Sequence, residues 1–306
     1  MKKDLSMPYV LSLIADPKKS PLLEKQVNTV CKLADELGAE LQTGKWLSPE
    51  QAWMVKMGAC PDGTLTNLRH TTSSWAVDLN IVPAENLKKK MLIADMDSTM
   101  IEQECIDELA EAAGAGDVVR AITRRAMNGE LEFEDALRER VSALKDLPSG
   151  IIEDVIATRI SFMPGGQALI ATMRQQGAYC ALISGGFTHF TSYVASSLGF
   201  HEHQANELLI ENDRLTGKVG EPILGRDAKV AALKRIADKL NIEPSLALAV
   251  GDGANDVPML QTAGMGVALH AKPVVKADVP VQVDHGDLTA LLFLQGISRD
   301  EFAVQN

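Results

Sequence analysis

Short, almost wholly apolar runs that stop abruptly at polar residues punctuate the second two thirds of the chain. Met91-Leu92-Ile93-Ala94, Ala178 to Ile183, Leu246 to Val250 and Gly266 to Leu269 are four of them. A run of this length without alternation predicts a strand buried on both faces, as in a parallel sheet. From Pro164 onward such runs alternate with helical patterns, and Glu207 to Gly220, centred on Asn212-Asp213, predicts a hairpin. Between the first two runs the periodicity changes to that of helices. Glu104 to Ala113, Val118 to Met127, Phe133 to Leu144 and Ser149 to Ile160 each carry apolar residues at helical spacing, separated by Gly114, Gly129 and Leu147-Pro148.

The first part of the chain reads differently. Tyr9 to Ile14 predicts a strand, and Leu23, Val27, Val30, Leu33 and Leu37 mark one face of a helix. Extended pieces follow around Ala52 to Met57 and Trp75 to Ile81, so a small α+β unit is expected. Lys88-Lys89-Lys90, after Pro83, reads as an exposed linker and places a boundary there. The expected fold class is α/β: a Rossmann-like, doubly wound parallel sheet with a helical-bundle insert and a small N-terminal α+β domain. The expected divisions are 1–87 for the N-terminal unit, 88–100 with 164–306 for the core, and 101–163 for the insert.

Composition narrows the class. Among 306 residues, 46% of them hydrophobic, no apolar run reaches the roughly 18 residues of a membrane span. A formal charge of -11 excludes a nucleic-acid binder that works by phosphate neutralisation, and it requires local positive charge to draw in any anionic substrate. Cys31, Cys60, Cys105 and Cys180 form no C-x-x-C pair and read as buried free thiols in a reducing compartment. Met1-Lys2-Lys3 imitates the start of a signal peptide, but the apolar run from Tyr9 to Ala15 ends at Asp16 without a small-residue cleavage site. A cytoplasmic enzyme follows as the expectation.

The chemistry gathers where the predicted strands end. Asp95-Met96-Asp97-Ser98-Thr99 leaves the first run, Ser184-Gly185-Gly186 the second, and Gly251-Asp252-Gly253-Ala254-Asn255-Asp256 the third. In an open parallel sheet, loops at the carboxyl ends of strands converge on one crevice. A single Asp at a strand end is ordinarily a turn former or a helix cap. Asp95, Asp97, Asp252 and Asp256 together would repel one another without a cation, and Mg2+ fits hard oxygen donors of this kind. A carboxylate that attacks phosphorus, with Lys229 at a helix start to meet the developing charge, makes phosphoryl transfer through an aspartate the expected reaction.

These four ordered segments resemble the motifs of the haloacid dehalogenase superfamily of phosphatases, from about Met91 to the end of the chain, with the helical insert similar to that family's small helical (C1-type) cap. The first 85 residues fall outside the resemblance and are only weakly similar to ACT-like domains. The resemblance implies Asp95 as nucleophile and Asp97 as general acid and base. It also implies Mg2+ held by the carboxylates of Asp95 and Asp252 and the main-chain carbonyl of Asp97. Lys229, Ser184, Asn255 and the Gly185 N–H would contact the phosphoryl oxygens, and Asp256 would orient Lys229 or a water. Motif matching further implies Glu104 for a substrate amino group, Arg140 for its carboxylate, and Met127 and Phe133 for an apolar wall; the expected small-molecule substrate is O-phospho-L-serine, with no nucleic acid or membrane partner and with a homodimer open.

Other readings stay open at this point. The same residues serve a phosphotransferase with homoserine or a similar alcohol as acceptor, or a phosphatase for another small phosphometabolite. A non-enzymatic amino-acid sensor is a third reading, against which the intact Asp95, Asp97, Lys229 and Asp252 argue. His201 and His203 flank Glu202 in an expected loop, but no third ligand is spaced to make a metal site there. His189 is expected at the pocket rim, with cap hinges near Met100 to Gln103 and Ser161 to Pro164.

Overall fold

A computed structural model describes residues 8 to 127 and 130 to 303; Met1-Lys2-Lys3 and Gly129 lie outside the described residues. The chain begins with β1 (Tyr9–Ala15), α1 (Glu24–Glu36), β2 (Lys45–Ser48), β3 (Ala52–Met57), α2 (Thr64–Thr72) and β4 (Val77–Pro83). The strands form an antiparallel sheet in the order β2-β3-β1-β4, a ferredoxin-like βαββαβ arrangement. Leu11 and Leu13 of β1 pack with Val27, Val30 and Leu68 from the two helices, while Val10 and Ile14 join the core cluster containing Leu291 and Phe293. Both faces of this sheet are therefore covered, which is why β1 is apolar at every position but Ser12 rather than alternating.

The second sheet holds β5 (Met91–Ala94), β6 (Tyr179–Phe187), β7 (Glu202–Asn206), β10 (Ala247–Gly251), β11 (Met265–Leu269) and β12 (Val281–Val283). The order is β12-β11-β10-β5-β6-β7 and every pairing is parallel. Alternate residues divide between two clusters. Leu92, Cys180, Leu182, Leu248 and Val250 pack towards one side, with α7 (Gly166–Gln175), α8 (Thr188–Leu198) and α12 (Ala290–Leu294). Met91, Ile93, Ala181, Ile183 and Ala249 pack towards the other, with α9 (Arg226–Leu240), α10 (Val257–Thr262) and α11 (Pro273–Asp278). This is the doubly wound sheet expected from the apolar runs, and each fully buried Leu or Ile contributes roughly 1.5–3 kcal/mol.

Between β5 and α7 the chain makes α3 (Cys105–Ala112), α4 (Gly116–Met127), α5 (Phe133–Ser142) and α6 (Ile151–Arg159). The two segments that connect this insert to the core pair with each other, Glu102 N–H to Ser161 O at 3.0 Å and Met163 N–H to Met100 O at 2.9 Å. A hairpin of β8 (Leu208–Glu211) and β9 (Arg214–Val219) turns through Asn212 and Asp213, both in the left-handed region at φ 50° and 59°.

The structure departs from the sequence-based expectations at several points. Lys88 and Lys90 are exposed as expected, but Lys89 between them is buried, its ammonium donating to Ser245 O at 2.8 Å and its backbone N–H to Gln295 Oε1 at 2.9 Å. His201 lies in the connection before β7, as expected, but His203 lies within β7, an edge strand. β2, α2 and β12 were not expected. Of the four free cysteines, Cys105 and Cys180 are buried but Cys31 and Cys60 only half-buried. Among the described residues, no helix is long and apolar enough to cross a membrane.

Candidate active site

The first strand of the parallel sheet, β5, lies at its centre, and the chain moves to one side for β6 and β7 and to the other for β10 and β11. Adjacent strands at this switch leave the sheet in different directions and open a crevice at their carboxyl ends. Asp95 follows β5, Ser184 lies in β6 just beyond its last residue paired with β5, and Asp252 follows β10. A cavity of about 320 Å³ sits there, covered by the helical insert. Asp95, Asp97, Glu104, Phe133, Arg140, Ser184, Gly185, Asp252 and Asn255, all expected from the sequence, line it.

Lys229 and Asp256 stand immediately behind. Lys229 Nζ donates to Asp95 Oδ1 at 2.6 Å and to Asp256 Oδ1 at 2.5 Å, and Gly253 N–H donates to Asp256 Oδ2 at 3.0 Å. Close packing here demands glycine: a Cβ on Gly251 would stand 2.5 Å from Asp256 Cγ, and one on Gly186 only 2.6 Å from Asp97 Oδ2. Asp97 accepts from Cys105 N–H at 2.8 Å and from Ser184 Oγ at 3.2 Å, while Ser184 Oγ accepts from Gly186 N–H at 2.8 Å. Ser98, held at φ 53°, turns its hydroxyl to donate to Glu104 Oε1 at 2.9 Å.

Charge in this site is one-sided. Six carboxylates (Asp95, Asp97, Glu104, Asp107, Asp252 and, behind, Asp256) face three cations (Arg140, Lys272 and the buried Lys229). Burial raises the Asp95 carboxyl well above its ordinary range, and Asp256 adds to this against the pull of Lys229. Burial likewise raises Asp97, with the hydrogen bonds from Cys105 and Ser184 opposing. Asp252 is pushed up to about 6 by burial and by Asp256. Glu104 faces solvent inside the cavity yet is surrounded by protein, and burial together with the Asp97 carboxylate brings it to about 7. Oxygens of Asp95, Asp252 and Asp256 lie within 4.8 Å of one another, a set of hard donors that fits a divalent cation.

Asp256, not the Asp97 side chain, completes the carboxylate triplet. The Met127 side chain lies outside the described residues, so its place on the wall is not described. His189 lines a separate groove with Glu153 and His203, not the cavity. Among the described residues, His201 and His203 belong to no cluster of three metal-ligating side chains. His201 Nδ1 instead accepts Cys180 N–H at 3.0 Å, and His203 Nδ1 pairs with Thr191 Oγ1 at 3.0 Å.

Three polar lining residues escaped the sequence reading: Asp107, Thr123 and Lys272. Asp107 lies three residues after Glu104, at helical spacing, and Lys272 lies three residues beyond the carboxyl end of β11, where Asp252 directly follows β10. Either spacing was a usable signal. Thr123 carried none.

Comparison with known proteins agrees with this geometry. Residues 92–261 match the family model described as haloacid dehalogenase-like hydrolase. The chain belongs to that family. A Vibrio cholerae relative named phosphoserine phosphatase is 42% identical over 297 residues, covering 89% of this chain and 90% of its own length. Among solved structures of the family, a HAD family hydrolase from Salmonella enterica serovar Typhi aligns over 94% of this chain and 98% of its own, with TM-score 0.83 and 29% identity. Another, titled as a phospho-aspartyl intermediate analogue of phosphoserine phosphatase, is 39% identical with TM-score 0.63 and covers 67% of this chain and 98% of its own.

Proposed function

We propose that this chain is a phosphatase that hydrolyses O-phospho-L-serine to L-serine and inorganic phosphate through an aspartyl-phosphate on Asp95. The observation that carries it is a single cavity with two chemically different ends. Strand-end groups (Asp95, Asp97, Ser184, Asp252, Asn255) suit a phosphoryl group, while Glu104 and Arg140 on the helical insert offer a carboxylate for an ammonium and a guanidinium for a carboxylate. The relatives named phosphoserine phosphatase support the same substrate.

In this mechanism an Asp95 oxygen forms a bond to phosphorus as the bond from phosphorus to the seryl oxygen breaks, and Asp97 gives that oxygen its proton. Asp97, now a carboxylate, takes a proton from a water whose oxygen attacks phosphorus and releases Asp95. The raised Asp97 carboxyl suits a group that must begin protonated. Lys229 fixes one oxygen of the nucleophile and, with Ser184, Asn255 and the Gly185 N–H, meets the charge spread over the phosphoryl oxygens. Mg2+ would be held by the Asp95 and Asp252 carboxylates and the Asp97 main-chain carbonyl, with Asp256 orienting Lys229. Bound there, a divalent cation neutralises phosphoryl charge and relieves carboxylate repulsion. Phe133 supplies an apolar wall.

The same reading divides the chain into an N-terminal unit of residues 1–87, a catalytic core of 88–100 and 164–306, and a cap of 101–163. No described residue of the N-terminal unit lines the cavity, which fits an ACT-like regulatory role exercised by binding an amino acid or pairing with a second copy. Four free thiols fit a cytoplasmic location.

The test is phosphate release from phosphoserine, other phosphorylated amino acids and sugar phosphates, with Mg2+ and with EDTA, and with and without acceptor alcohols. Efficient turnover of phosphoserine alone, abolished by EDTA and by Asp95→Asn, is expected. A full-rate Asp95→Asn variant, or no borohydride-trapped label on the Asp95 peptide, sinks the proposal.

A further inference from the structure

Thr123 Oγ1 is shielded from solvent and has no hydrogen-bond partner, one of two such side-chain atoms among the described residues, the other being His189 Nδ1. Thr123 sits on α4 and lines the cavity that also holds Glu104 and Arg140. A helical threonine has an easy local remedy, donation to the carbonyl four residues back. Thr29, Thr71, Thr72, Thr158 and Thr262 all take it, at 2.6–3.0 Å. Thr123 does not use the Val119 carbonyl, so its hydroxyl keeps both its proton and its lone pairs for something else.

The neighbouring groups indicate what that is. Arg140 commits Nε to Ala136 O at 3.2 Å, which leaves its terminal nitrogens for a substrate carboxylate. A carboxylate has about four lone-pair sites, more than those nitrogens satisfy. Glu104 already accepts from Ser98 Oγ and supplies the ammonium end of the site. A further donor in the same cavity is the missing element, and a buried hydroxyl without a partner is costly unless a ligand completes it.

We propose that Thr123 Oγ1 donates a hydrogen bond to the α-carboxylate of the bound phosphoamino acid, beside Arg140, and so helps the cap to select amino-acid phosphates over phosphoamines. This rests on the phosphoserine reading above. It adds a specificity contact on a helix for which only the Met127 wall was expected.

The experiment compares Thr123→Val and Thr123→Ser on three esters: phosphoserine, phosphoethanolamine, which keeps the ammonium but lacks the carboxylate, and p-nitrophenyl phosphate. Thr123→Val is expected to raise KM for phosphoserine roughly 5- to 30-fold with kcat within about twofold, and to leave the other two esters within about twofold. Thr123→Ser should restore the wild-type values. Because valine removes an unpartnered hydroxyl, the melting temperature of the free protein should hold or rise, whereas a structural role predicts a fall. Thr123→Ala provides the same comparison where valine crowds the helix. An unchanged KM for phosphoserine, or equal losses on all three esters, overturns the inference while phosphoserine turnover by the wild type stands. Wild-type protein inactive on phosphoserine overturns the parent reading and this one with it.

Discussion

Lys229 Nζ stands 2.6 Å from Asp95 Oδ1, and the side chain that brings it there is 1% exposed. Burial alone would lower the pKa of this ammonium, but Asp256 and Asp95 reverse the effect and hold it raised, so it stays a cation at any working pH. Asp256, itself 0% exposed, takes the second bond at 2.5 Å. Two carboxylates thus share one cation inside the protein, and the arrangement fixes the position of the Asp95 oxygens.

Lys229→Met should therefore damage both folding and catalysis. Removing one member of a buried ion group leaves the others uncompensated and costs about 3–5 kcal/mol. Loss of the cation at the phosphoryl group should lower kcat by roughly 10²–10³-fold. Urea denaturation with and without Mg2+ is the check: part of the stability deficit should be recovered by the ion, which would relieve the same repulsion. A variant as stable as the wild type without metal contradicts this account of the triad.

Glu104 gives a pH dependence with a definite sign. Its carboxyl lies at about 7 in the free protein, raised by burial first and by Asp97 next. Only the ionised form attracts an ammonium, so binding favours proton release, and KM for phosphoserine should rise as pH falls through 7. The limit is about tenfold per pH unit well below the pKa. Glu104→Gln should flatten the profile between about pH 6.5 and 8, at a uniformly higher KM. A wild-type KM constant across that range would remove Glu104 as the ammonium partner.

The legible parts of this molecule are those decided by local rules. β5, β6, β10 and β11 were readable because strands buried on both faces carry no polar alternation, Asp95 and Asp252 because they stand where such strands end, and Ser184 because it closes the apolar run inside β6. β7 was not, because as an edge strand it exposes His203 and Gln204 and resembles a loop; three-residue β12 is too short to carry a pattern. The burial of Lys89 and Lys229 follows from distant partners, Ser245 in one case and Asp95 in the other, which no local spacing encodes. Thr123 belongs with these, since its place in the cavity depends on how α4 packs over the sheet. Glu104 and Arg140 became readable only through family resemblance.

The N-terminal sheet is joined to the parallel sheet by side chains of β4, and this junction should be separable from catalysis. The buried Asp78 carboxylate accepts N–H groups of Asp284, His285 and Gly286 at 2.7, 3.1 and 2.8 Å, and Asn80 exchanges two hydrogen bonds with the Gln282 backbone at 2.8 and 2.9 Å. Asp78→Ala leaves three loop N–H groups unpaired and should cost about 2–4 kcal/mol. Faster hydrogen exchange at residues 284–286 and a lower denaturation midpoint are the expected readouts, with kcat for phosphoserine within about twofold because β4 contributes nothing to the cavity. Unaltered exchange would show that the loop is held by something else.

Opening the cap on its two connecting segments alone carries a cost in hydrogen bonds to the β8–β9 hairpin. Its α5–α6 turn is stitched to the β8–β9 hairpin of the core: Asp146 N–H to Leu215 O at 2.8 Å, Leu215 N–H to Leu147 O at 2.9 Å, Ser149 N–H to Asp213 O at 2.9 Å, and Arg214 Nη1 to Asp146 O at 2.5 Å. Opening only at residues 100–103 and 161–164 would break all four, at roughly 0.5–1.5 kcal/mol each. Carrying the hairpin along avoids that cost and moves the second pivot to the hairpin base, where Gly220 N–H meets Glu207 O at 2.8 Å. Crystals with and without a phosphate analogue should show residues 208–219 holding their distances to residues 143–150 while both shift relative to β5. A hairpin that stays with β5 while the cap moves refutes this coupling, and a cap that never moves removes gating altogether, because the cavity would then have to admit substrate and water through a closed roof.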